Sequence, residues 1–214
     1  MNHNTVGFYR WTGVLGLLAT AVFLAKTFLP MPDKVHLLLC MSFGPLVVAG
    51  APGMARFMKR GRMGLLPDAA GLFAIVAGAF HLAMVCVQTT TIMIMRDRIV
   101  AADEAAKAAL RPILSGVFTV QLGLCFCWDL FIALATLLFS IALIRSGGKH
   151  ALLGTLGLCI GGTFLALKLW TYPIPPGEAG LFDLGPGVGA WYMLFSLVIL
   201  LSAKIAAQEA RVPT

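Results

Sequence analysis

Charged residues are scarce in this chain. Asp, Glu, Lys and Arg make up 12% of 214 residues, about half the share of a typical soluble domain. Hydrophobic residues reach 59% and the mean hydropathy is +0.91, so too few polar side chains remain to coat a soluble core. A water-soluble globule is excluded. There is no C-x-x-C pair, which argues against a thiol-redox enzyme. Cys40, Cys86, Cys125, Cys127 and Cys159 all lie in apolar segments and read as small buried hydrophobes. Cys125 and Cys127 are two residues apart and point to different sides of a helix. Also missing are a Ser-rich linker, a low-complexity tail, a convincing internal repeat and a dense carboxylate or histidine motif. The expectation is a non-enzymatic protein with no metal and no cofactor.

What the chain does have is long apolar runs. At about 20 apolar residues per crossing, the sequence divides into six spans. They are expected near Trp11–Leu29, Val35–Ala55, Ala69–Met95, Val120–Ile144, Ala151–Trp170 and Ala190–Ala207. The fold class is all-α: a polytopic transmembrane helical bundle forming one domain over 1–214. The segment Arg98–Pro112 is alanine-rich, with Asp103 four residues before Lys107, and should form a short exposed helix between the third and fourth spans. Tyr172–Gly189, rich in Pro and Gly, should be an irregular loop. Its GPGVG follows no strand and opens a membrane helix, so a phosphate cradle is not expected there. Pro45 should bend the second span, and Gly157 with Gly161 should allow a close helix contact.

The net charge of +7 sits in short clusters between apolar runs, such as Arg56, Lys59, Arg60 and Arg62. That distribution belongs to topology signals and anionic lipid headgroups, not to nucleic acid. With a cytoplasmic N-terminus, nine Lys or Arg fall inside and five outside, while Lys26 and Lys168 fall within spans. The positive-inside bias therefore puts both termini in the cytoplasm of a bacterial inner-membrane protein. The first span starts from a lone Arg10 and is longer than the 7–15 residues of a signal core. It is expected to be an uncleaved anchor.

One carboxylate lies deep in hydrocarbon. Asp129 is the single charge in the run from Ile113 to Ile144, and a charge at a helix centre costs roughly 2.5–3.5 kcal/mol on insertion scales. At about 1.5 Å of rise per residue, Asp129, Lys26, Lys168 and His81 all stand about 20–27 Å from the cytoplasmic ends of their helices. Gln88 and Tyr192 lie at or beyond that level. Embedded polar residues therefore gather in the outer half. Two readings fit. In one, Asp129 anchors an outward-facing polar cavity, with Lys168, Lys26 or His81 as counter-charge or proton partner. In the other, Lys26, His36 and Lys168 snorkel to the headgroups and Asp129 is merely paired within the bundle. Lys26 and His36, near span ends, fit the second reading; a short Asp cannot snorkel. His81 shares a helical face with Met84, Val85 and Gln88, and haem or metal ligation would require His36 as its partner.

FYRWTGVLGLL near the start and CWDLFIALATLLFSIALIRSGGKHALLGTLGLCIGG further on resemble a broad bacterial family of small six-helix membrane proteins without assigned chemistry. In the second stretch a helix ends in an Arg-Ser-Gly turn and a Gly-rich helix follows. The likeness covers about half the chain and implies six helices, but no site residues. The expected function is binding or moving a small solute or proton through the outer-half cavity. The alternatives are a membrane enzyme or redox subunit using His81 and Asp129 on a lipid-soluble substrate, or an accessory subunit of a membrane complex. Expected partners are membrane lipids and either further copies of the chain or other membrane subunits.

Overall fold

A computed structural model describes residues 3–59 and 64–209; Arg60 and Arg62 of the basic cluster lie outside the described residues. The chain is an all-α bundle with no strand among the described residues. Its helices are α1 (His3–Phe28), α2 (Asp33–Met58), α3 (Leu66–Cys86), α4 (Met93–Ala101), α5 (Glu104–Ser146), α6 (Gly148–Thr171) and α7 (Gly185–Glu209). A π-helical segment, Val87–Ile92, joins α3 to α4 without a break, so six helical stretches are long and apolar enough to cross a membrane. The protein is a multi-pass integral membrane protein. Consecutive spans pack side by side, and α7 closes back on α1, which makes a ring. One end of the ring carries Arg56, Lys59, Arg145 and Lys149 (the basic end); the other carries the segment 172–184 (the loop end).

Small residues set the helix spacing. A Cβ built on Gly44 of α2 would lie 2.6 Å from Gly78 O, and one on Gly78 of α3 would lie 2.8 Å from Gly44 O. The two backbones can approach this closely only because neither residue has a side chain. On α6, Gly157 makes room for the indole of Trp191 and the hydroxyl of Ser140. Trp191 is fully buried, and its Nε1–H donates to Leu153 O at 2.9 Å. At the basic end, Lys59 meets Asp68 at 2.7 Å across the turn from α2 to α3.

Helix α1 starts at His3, ahead of the expected Trp11, and three further boundaries differ. The segment 98–112 is not a separate helix. Only Ala102 and Asp103 interrupt the path, and α5 runs for 43 residues through Pro112. At about 65 Å it is twice the roughly 30 Å hydrocarbon core. The Phe126 and Tyr172 rings meet tilted at 4.7 Å, which marks where α6 ends; from that level α5 continues about 30 Å outward beside α4. Asp103 caps α5 by accepting from Ala106 N–H at 2.8 Å, and Lys107 pairs with Glu104 at 2.9 Å rather than with Asp103. Second, α6 starts at Gly148, because Gly147 and Gly148 adopt φ of +73° and +56° and turn the chain in minimal length. Third, the glycine-rich segment opens α7 at Gly185, where Asp183 Oδ1 accepts from Gly185 N–H at 2.9 Å. Pro186 suits a first helical turn. Helix α2 continues through Pro45 and Pro52.

Candidate functional site

Lys168 Nζ lies 2.7 Å from Asp129 Oδ2, with side-chain exposures of 11% and 9%. The pairing follows from topology. Helices α5 and α6 are antiparallel neighbours joined by Gly147 alone, and the two residues stand at similar distances from that turn. The Cys125 thiol, one turn from Asp129, donates to the same Oδ2 at 4.0 Å. The Phe164 ring lies 5.3 Å from Lys168 Nζ.

A second polar pair stands across the bundle. Lys26 Nζ of α1 is 3.0 Å from His81 Nε2 of α3, and it also lies 5.1 Å from the Phe43 ring centre and 5.6 Å from that of Phe23. Lys26 therefore turns into the bundle instead of snorkelling outward. His81 is 2% exposed and packs edge-on against Phe43 at 4.7 Å and Trp128 at 5.2 Å. Phe43 and Trp128 meet at 5.4 Å, so the three rings form an aromatic triangle with His81 at one corner and Trp128, the neighbour of Asp129 in sequence, at another. His81 is engaged with Lys26, not with Asp129. Gln88 joins neither pair: it is exposed on the π-helical segment. The i→i+5 pattern starts at Val87, so the 3.6-residue period that aligned Gln88 with His81 no longer holds there.

Inside the ring is a cavity of about 80 Å³ between α1, α2, α5 and α7. Its volume suits a few waters or one small solute. Asp129 and Tyr192 line it, together with Phe23, Phe43, Trp128 and Phe164. The wall is thus mainly aromatic and aliphatic. Thr20 also faces it, but its hydroxyl donates to Gly16 O at 3.1 Å. On the far side of Asp129, a crevice of about 30 Å³ runs between α5, α6 and the 172–175 turn, lined by Lys168, Cys125 and Tyr172 among others. Asp129 borders both spaces, whereas Lys168 borders only the crevice. Among the described residues, no three His, Cys, Asp or Glu side chains converge as a metal site would need. The aromatic wall was not singled out from sequence. Its one local signal is Phe23, three residues before Lys26 and hence on the same helix face.

These features define a six-span α-helical membrane protein with a central cavity and two embedded polar pairs. No protein-family model, curated protein or solved structure matches the chain.

Proposed function

We propose that this is a bacterial inner-membrane protein, with both termini cytoplasmic, that binds or moves a small solute or proton through the outer half of the bilayer. The observation that carries the reading is the position of Asp129, which forms part of the wall of both the central cavity and the loop-end crevice while holding Lys168 at 2.7 Å. A proton or cation arriving at Asp129 competes with Lys168 for the carboxylate. The outcome of that competition decides whether the pair stays closed between the two spaces. Within this reading Tyr192 supplies a second polar group on the cavity wall, and Lys26 with His81 forms a separate charged station. Within this reading the protein acts as copies of itself or within a membrane complex.

The test is proton flux into liposomes loaded with a pH-sensitive dye. Wild-type protein should dissipate an imposed gradient faster than protein-free vesicles, and Asp129→Asn should lower that excess at least tenfold. Equal rates for the variant and the wild type would remove Asp129 from the pathway.

A further inference from the structure

The two embedded lysines are not equally compensated. Lys168 has Asp129. Lys26 has no carboxylate within ion-pair distance among the described residues, only the imidazole of His81 and the faces of Phe23 and Phe43. Asp183, in the segment before α7, is engaged at that helix start. A cation inside a bilayer that lacks an anion is costly, because aromatic faces and a neutral acceptor recover only part of the lost hydration. Its position matters as well. Phe23 and Phe43 belong to the cavity wall, and Lys26 stands one turn, about 4.5 Å, beyond Phe23 toward the loop end. The ammonium therefore sits at the rim of an apolar cavity. A proton on Lys26 Nζ donated to His81 Nε2 would leave the imidazole proton on Nδ1, which is buried without a partner. The station then holds donors and no anionic acceptor.

We infer that Lys26, backed by His81, is the head-group end of a site for a small anionic amphiphile whose apolar chain occupies the central cavity. Charge favours an anion over a cation here, since an organic cation would have to displace Lys168 from Asp129 and leave three positive groups, Lys26, Lys168 and the ligand, against the two carboxylates of Asp129 and Asp183. The wall of Phe23, Phe43, Trp128 and Phe164 suits a short hydrocarbon chain. The anion is a carboxylate or phosphate ester, supplied either by a soluble short-chain acid or by an anionic lipid of the bilayer. This inference does not depend on Asp129 carrying a solute or proton.

The experiment compares hexanoate, 1-hexanol and hexylammonium as ligands of the full chain in phosphatidylcholine nanodiscs at pH 7, read by thermal unfolding. Hexanoate should raise the midpoint saturably by about 2–4 °C, with little effect from the other two. Lys26→Gln should abolish the rise, and Lys107→Gln, a lysine of the projecting helix, should keep it. In nanodiscs containing phosphatidylglycerol, a lipid source would raise the midpoint in a Lys26-dependent way before any hexanoate is added. A soluble source would leave the hexanoate shift unchanged. Equal shifts with hexanol would mean an apolar cavity only, and larger shifts with hexylammonium would mean a cation site at Asp129. Either result, a response that persists in Lys26→Gln, or no response to hexanoate or phosphatidylglycerol (a neutral Lys26), overturns the inference. None of these readouts uses proton flux, so its failure and that of the Asp129 reading are separable. Should Lys26→Gln not fold, the three-ligand comparison on the wild type still decides.

Discussion

At the scale of single residues, Asp129 and Lys168 form a pair in which each member makes the other tolerable. Both side chains are close to fully buried, so removing one partner strands a charge, at a cost of about 3–5 kcal/mol. Replacing both removes the charge altogether. Asp129→Asn and Lys168→Met should each lower thermal stability clearly, while the double variant should lose less than the sum of the singles. Glu178→Gln changes an exposed carboxylate and should stay within about 0.5 kcal/mol of wild type. Thermal unfolding of the four proteins of the cycle gives the coupling directly, and additive effects would mean that the contact contributes nothing. His81 and Lys26 show the complementary case, in which a cation finds an acceptor and two rings but no anion.

At the scale of elements, α2 and α3 approach through two glycines whose carbonyls face each other's Cα. A methyl group at Gly78 would meet the backbone of Gly44 at 2.8 Å, and backbone cannot rotate away as a side chain can. Gly78→Ala should destabilise the protein by about 1–3 kcal/mol through overpacking. Gly116 is the matched control: it also lies within a helix, yet nothing is within 4 Å of its Cβ position. There the substitution should be neutral or gain about 0.5–1 kcal/mol from helix propensity. Scanning fluorimetry of the two variants separates the cases, and equal effects would contradict the close α2–α3 packing. The long α5 raises a different point. Its first turns and α4 form a helical pair reaching past the loop end of α6, with Ile94, Val100, Ile113 and Val120 exposed.

At the scale of the whole molecule, the helices alternate in direction, so Arg56, Lys59, Arg145 and Lys149 fall at one end of the ring, and the α4–α5 tip, with Arg96, Arg98, Lys107 and Arg111, falls at the other with the 172–184 segment. With the basic end in the cytoplasm, single cysteines at Glu104 and Gly180 should react with a membrane-impermeant maleimide applied to intact spheroplasts. A cysteine at Lys149 should react only after permeabilisation. Labelling at Lys149 from outside would invert the orientation.

Class and number of spans were legible in composition alone, because hydropathy acts locally and each crossing needs about 20 apolar residues. The matching heights of Asp129 and Lys168 on their helices were legible too, because helical rise is constant and a short turn makes α5 and α6 antiparallel neighbours. The length of α5 was not legible in the sequence, since Pro112 and a change of polarity looked like a boundary while the backbone tolerates the proline within an exposed helix. The start of α7 was legible in part: GPGVG reads as opening a helix, but the loop was carried on to Gly189, whereas the helix already begins at Gly185 and Gly189 brings its Cα beside the ring of Phe23. The meeting of Lys26 with His81, 55 residues away on a helix that is not its neighbour in sequence, came from the three-dimensional packing. That packing alone closed α7 onto α1 and thereby made the cavity. Such contacts depend on which faces of non-adjacent helices meet, and helices that are apolar all round carry no stripe by which that choice could be read beforehand.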